Sequence, residues 1–266
     1  AKISFDGTLV YAFEDTVAAA EEYIKDWPRK TKGSKGKEGA VLECMEFRNF
    51  SNVTITSSGM GTIEGRGQKW WGIPGLGYLK REENRPRLFN IQGKDLLFEN
   101  IYMHESPYWT HTSSGSNIEI RNSHINNRRT NADGHGVIDM TAFNTDGFDV
   151  SGDHVYIHDC SIWNQDDCIA VKDGSNDMLF ERIEASGVGL TIGSIGGSKN
   201  NNITFRDCHM HKTSKGIYMK FRGNGGVVSN VTYENIVMDQ PEQWPIWIGP
   251  AQQSDSDNLC APNGGC

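Results

Sequence analysis

Asn202-Ile203-Thr204-Phe205-Arg206-Asp207-Cys208 is the stretch on which the fold turns. Its first four residues alternate polar and apolar, as a half-buried strand does. They run into a short phrase: an aromatic residue or Ile, a charged residue, usually Asn or Asp, then an apolar residue. The phrase recurs as Phe98-Glu99-Asn100-Ile101, Ile120-Arg121-Asn122-Ser123, Ile157-His158-Asp159-Cys160, Phe180-Glu181-Arg182-Ile183 and Tyr233-Glu234-Asn235-Ile236, with a weaker copy starting at Phe47. Each copy follows a short strand such as Val53-Thr54-Ile55, Asn117 to Ile120 or His154 to Ile157.

The first positions are 22, 37, 23, 25 and 28 residues apart, a period that marks stacked repeats, and the long step from 121 to 156 holds an excursion. Strands that recur once per period without tight Asn-Gly turns between them are laid parallel by a coil, which predicts an all-β, right-handed parallel β-helix. The competing arrangement is an antiparallel sandwich. The repeated Asn and Asp belong at the corners, where they tolerate left-handed backbone and bond one another in ladders. Glu14 to Lys25 carries Val17, Ala18, Glu21 and Ile24 at helical spacing and is expected to cap the N-terminal end, while Pro28 to Lys37 reads as an exposed loop. Residues 1–266 are expected to form one β-helix domain, with further coils or a partner covering the C-terminal end.

The formal charge of −8 argues against nucleic acid as a partner, and the sequence holds no apolar run of the roughly 20 residues that a membrane helix needs. The 30 glycines against 8 prolines suit many turns between short strands. No signal peptide is visible at Ala1-Lys2-Ile3-Ser4, yet four sequons, at Asn49, Asn52, Asn202 and Asn230, favour a secreted or cell-wall glycoprotein. Cys160 and Cys208 share a place in the repeat with the Phe180 coil between them, about two strand spacings apart, so they are expected to be buried free thiols. Only Cys260 and Cys266 are close enough in sequence to bridge locally.

Two acidic phrases stand out, Asn144-Thr145-Asp146-Gly147-Phe148-Asp149 and Asn164-Gln165-Asp166-Asp167-Cys168. Asp146 and Asp166 lie 20 residues apart, close to one coil, which brings the carboxylates onto one face. Like charges at that range raise at least one pKa, so that one carboxyl stays protonated as an acid while its neighbours remain ionised. Plain turn aspartates or a Ca²⁺ site are the bland readings. Glycines 187 and 189 are expected to leave room for a sugar ring, and Lys220 with Arg222 to clamp a substrate carboxylate from one strand face.

These two phrases, followed by Gly187-Val188-Gly189-Leu190-Thr191-Ile192-Gly193-Ser194, resemble in order the motifs of polygalacturonases, pectin-cleaving glycoside hydrolases of the pectin lyase-like β-helix type. Gly65 to Trp71, Arg85 to Phe89 and Ser106 to Trp109 resemble further landmarks, so that the likeness runs from about 40 to 250. The resemblance implies an inverting hydrolase of anionic polysaccharide without cofactor or metal, with Asp166 as the acid and Asp146 with Asp167 holding the attacking water. Asn144, Gln165, Gly187, Gly189, Tyr218, Lys220 and Arg222 are the expected substrate contacts. Three positions depart from the family: Val188 stands where it carries His, Tyr218-Met219-Lys220 replaces Arg-Ile-Lys, and the partner of Cys168 falls near Glu184. Arg222 is the candidate replacement for the Arg, and His135, in the long excursion, is a candidate imidazole, although loop histidines are ordinarily solvated. A hydrolase of uronan or a related wall polysaccharide is favoured because all three aspartates are retained; the alternative is an extracellular glycan-binding or structural relative.

Overall fold

The computed structural model describes residues 1–11, 41–72, 85–222 and 225–250, so the expected capping helix, the loop Pro28 to Lys37, and Cys260 and Cys266 lie outside the described residues. The strand pairings recorded between its elements are all parallel, and they stack into three faces of a coil. On the first face, Met45, Phe89, His111, Phe148, Ile169, Leu190, Ile217 and Ile246 form one column of rung partners. On the second, the repeat phrases align: Ile55, Phe98, Ile120, Ile157, Phe180, Phe205 and Tyr233 share a column. The third stacks Thr8, Thr62, Tyr102, His124, Ser161, Glu184, His209 and Val237. This is the parallel β-helix, with every other residue of each face turned inward.

The inward columns build a continuous apolar core in which Phe98, Phe148, Phe180 and Phe205 are fully buried. Phe180 and Phe205 stack with centroids 4.6 Å apart, and Phe205 and Tyr233 at 4.7 Å, matching the spacing between coils. The weaker phrase copy at Phe47 is out of register. Phe47 pairs with Ile91 on the first face, whereas the rung below Phe98 on the second face belongs to Ile55; the ladder also shifts between Phe47 and Phe50, beside the left-handed Asn49.

At the corners, Asn100, Asn122, Asp159, Arg182, Asp207 and Asn235 all have φ between 45° and 58°. A left-handed residue turns the strand sharply onto the next face, and Asn and Asp tolerate it best. The amides link coil to coil: Asn117 Nδ2 donates to Asp95 Oδ1 at 2.9 Å, Asn202 to Asp177 at 2.7 Å and Asn235 to Asp207 at 2.9 Å. Where the first face meets the second, Gly93, Gly115 and Gly152 are rung partners, and a Cβ on Gly115 or Gly152 would lie within 2 Å of the preceding glycine's carbonyl oxygen. Cys160 pairs with Ile183 and Cys208 with Ile236, leaving the rung of Ile183 between the two thiols; both are buried and free. Burial lifts each thiol to about 12.

Candidate active site

The site grows out of the corner where the chain enters the first face. The Thr110 N–H donates to Asp146 O and the Gly147 N–H to Asp167 O, which fixes the backbone of both aspartates between neighbouring coils. Phe148 and Val150 then turn into the core, leaving Asp149 on the outer side; Ile169 and Val171 do the same for Ala170, and a register shift between Asp167 and Ile169, where Cys168 also enters the core, sets Asp167 apart from the inward residues. As a result, one carboxylate oxygen from each of Asp146, Asp166 and Asp167 lies within 4.8 Å of the other two, and all three residues are buried.

Such crowding has an electrostatic consequence. Burial, and then the charge of Asp167, lifts Asp166 to about 6, against the pull of Lys220. Asp146 is pushed well above the usual carboxylate range by burial and by Asp166 and Asp149, and Asp149 is raised mainly by burial. Asp167 is held from two sides, accepting from Lys220 Nζ at 2.6 Å and Thr191 Oγ1 at 2.7 Å. Lys172 Nζ stands 2.8 Å from Asp149 Oδ1 and 3.8 Å from Asp146 Oδ2. One oxygen of Asp146, Oδ1, is buried with no hydrogen-bond partner among the described residues. Three carboxylates could also hold a hard cation, but the ammonium groups of Lys172 and Lys220 already supply positive charge there, so a divalent ion fits poorly.

Around this floor lies a rim of cations and aromatic rings. Arg85 donates to Asn144 Oδ1 at 3.1 Å, and Asn144 Nδ2 is 3.4 Å from Asp166 Oδ2. Arg87 and Lys172 lie over Trp109, 4.1 and 4.9 Å from the ring centroid. Tyr218 is buried between two ammonium groups, Lys215 at 5.0 Å and Lys220 at 4.9 Å. Lys215 Nζ also donates to Gln243 Oε1 at 3.1 Å, and burial lowers its pKa.

Asn144 and Lys220 thus meet the aspartates and Tyr218 meets Lys220, while the other expected contacts stand elsewhere. Gln165 turns to the excursion loop, where its Oε1 is 2.8 Å from His135 Nδ1. Gly187 and Gly189 are buried, and the room expected for a sugar ring is filled with protein. A Cβ on Gly187 would lie 2.0 Å from Asn164 Oδ1, and one on Gly189 2.4 Å from Lys215 O, so both glycines serve coil packing. Arg222 is exposed, and no ion pair joins it to the aspartates among the described residues.

The excursion supplies two groups beside the site: His135, the imidazole that the sequence offered, and Arg128, which the sequence did not single out. His135 Nε2 is 2.7 Å from Gly187 O, one residue from the Val188 that departs from the family. Arg128, buried, donates through Nη2 to Asn164 O at 3.3 Å and Ser186 O at 2.6 Å, tying the loop to two later coils. Lys172 had a legible signal, since the apolar Ile169 and Val171 alternate with Ala170 and Lys172, which puts Lys172 on the outer face. Lys215 and Arg128 had none, because their approach depends on the lengths of separate coils.

A buried acid with a raised pKa, an unsatisfied carboxylate oxygen beside it and cations around both can protonate a leaving oxygen and hold water under an anionic ligand. Comparison with known proteins points the same way. The chain is 32% identical over 223 residues to the probable endopolygalacturonase E of Aspergillus niger, an alignment covering 81% of this chain and 55% of that one. It therefore spans about half the length of such relatives. In fold it is similar to the hyperthermoactive exopolygalacturonase of Thermotoga maritima (TM-score 0.69, 19% identity, covering 97% of this chain and 64% of that one). It is likewise similar to the polygalacturonase of Erwinia carotovora ssp. carotovora (TM-score 0.65, 18% identity, covering 93% and 81%). The family model for glycosyl hydrolases family 28 matches residues 3–261, and this chain belongs to that family as a polygalacturonase-like member.

Proposed function

We propose that the protein hydrolyses α-linked galacturonan, or a closely related acidic wall polysaccharide, outside the cell. The observation that carries this reading is the trio of buried carboxylates within 4.8 Å, one lifted to about 6, in a ring of lysines and arginines. Asp166 donates its proton to the leaving glycosidic oxygen, while Asp146 and Asp167 orient and deprotonate water at the anomeric carbon. A water bonded to two oxygens at about 2.8 Å each bridges a gap of this size. Recognition of the uronate falls to cations not already paired with the aspartates: Lys215 takes over from the Arg that Tyr218 replaces. The four sequons support passage through a glycosylating compartment; Asn202 and Asn230 use Nδ2 in ladder bonds, and N-glycosylation leaves that nitrogen one N–H.

The spacing also gives the reading a sharp test. Inverting pairs in general stand about 6.5–9.5 Å apart and retaining pairs about 5–5.5 Å, and here the facing oxygens of the three carboxylates lie within 4.8 Å of one another. The family motifs nevertheless support inversion, with the water held between Asp146 and Asp167. Proton NMR of the first product formed from polygalacturonate is expected to show the β-anomer; an α-anomer would assign Asp146 or Asp167 as a nucleophile. Reducing ends should appear from polygalacturonate and not from neutral glucan. Binding of polygalacturonate without any release would favour a glycan-binding protein instead.

A further inference from the structure

On the third face, away from the aspartates, two imidazoles and two carboxylates converge. Rung pairing sets Glu184 beside His209 and His211 beside Asp239, across the strands Asn176–Ser186, Lys199–His211 and Val227–Asp239. Along the middle strand Cys208 and Met210 enter the core, so His209 and His211 both face outward. One ligand atom from each of Glu184, His209 and His211 lies within 4.8 Å of the other two. Glu184 Oε2 is 2.5 Å from His211 Nε2 but 3.7 Å from His209 Nδ1, whereas Asp239 Oδ2 is 2.6 Å from His209 Nε2.

We propose that Glu184, His209 and His211 bind a divalent transition-metal ion of the Zn²⁺ type, with Asp239 orienting His209. The placement of the rings carries the argument. Asp239 Oδ2 stands 2.6 Å from His209 Nε2 and so turns Nδ1 towards Glu184 Oε2, which at 3.7 Å is beyond hydrogen-bond reach, while His211 Nε2 approaches the same oxygen from the other side of the strand repeat. Three ligand atoms from two neighbouring coils thus face one space. A ligating histidine whose other nitrogen is held by a carboxylate is the usual second-shell arrangement at zinc. Bonds of about 2.0–2.1 Å in tetrahedral geometry space ligand atoms roughly 3.3 Å apart, so His209 and Glu184 need only a small closure. His211 gives up its hydrogen bond to Glu184 and binds through Nε2. Imidazole nitrogen selects Zn²⁺, Ni²⁺ or Cu²⁺ over Ca²⁺. The ion would join the coil ending at Ser186-Gly187 to the one ending at Lys212, bracing the turns that carry Gly187 and Lys215.

Isothermal titration of Zn²⁺ into the chelator-treated protein at pH 7, with Ca²⁺ in parallel, tests the site. Expected are one Zn²⁺ per chain, no comparable heat with Ca²⁺, and a thermal midpoint raised by Zn²⁺. His209→Ala/His211→Ala should abolish both the binding and the midpoint shift, and Asp239→Asn should weaken binding about tenfold. Glu184→Gln, which keeps the shape of the side chain, should weaken it at least as much. Undiminished binding in the double variant or in Glu184→Gln, or no Zn²⁺ binding by the unmodified chain, would overturn the proposal.

Discussion

Two outward columns of the same coil treat their carboxylates in opposite ways. On the second face Glu99, Arg121, His158, Glu181, Arg206 and Glu234 are successive rung partners, so opposite charges tend to neighbour one another. Glu181 there takes bonds from Tyr156, Arg206 and Arg182, and they hold its carboxyl down at about 2. Asp159 is likewise held low by Arg182 and His158. On the first face, Asp146, Asp149, Asp166 and Asp167 crowd together across adjoining coils, and Asp146, Asp149 and Asp166 are pushed up. The fold offers the same rung spacing to both. What differs is whether the next coil presents a cation or another acid. An alternating column works as a brace, whereas crowded acids keep a proton available at the expense of stability.

Substitutions that remove one acid at a time separate these roles. Asp166→Asn should lower turnover of polygalacturonate at least ~10²-fold, the usual worth of a general acid. It should also raise the thermal midpoint at pH 7. A carboxyl whose folded pKa is raised contributes stability below its ordinary value of 3.8 that is lost as pH rises through about 6, and the amide removes that loss, worth on the order of 1–3 kcal/mol. A variant that is both inactive and less stable would erase the contrast between the columns. Next in size, Lys215→Met keeps the buried stem and removes the charge, and kcat/KM on polygalacturonate should fall about tenfold, equivalent to ~1.4 kcal/mol. An unchanged kcat/KM would return uronate recognition to Lys220 or Arg222. Smallest is Glu181→Gln: turnover should hold while denaturant unfolding at pH 7 shows about 1–2 kcal/mol less stability. Because the folded pKa of Glu181 is depressed, its contribution is present above about 4.5 and fades as pH falls through about 2, so variant and parent should converge there.

Much of this was legible in the sequence, for a physical reason. Repeat phrases are read as stacked because each fills an inward position that only the equivalent residue of the next coil can cover, and six of the seven fell in one column. The copy at Phe47 missed because it falls on the first face, opposite Ile91, while the second-face rung is filled by a later apolar pair, Val53 and Ile55. Asp146, Asp166 and Asp167 were legible since they lie at one corner of adjoining coils. Lys215, Arg128 and the Glu184–His209–His211 cluster were not, because each arises from residues whose meeting is set by the third dimension of the coil and by rotamer.

Arg128 sets an order of assembly. Its guanidinium is buried against carbonyls from residues 36 and 58 positions later in the chain, Asn164 and Ser186. A buried charge without acceptors is costly, so the excursion loop cannot dock while those coils are unformed. During synthesis from the N-terminus, rungs zip up as they emerge, yet the loop bearing His135 must wait undocked until Ser186 has been laid down. The surroundings of the aspartates are therefore finished later than the coils beneath them, and a nascent chain interrupted between these points would own a stacked core with its excursion loop undocked.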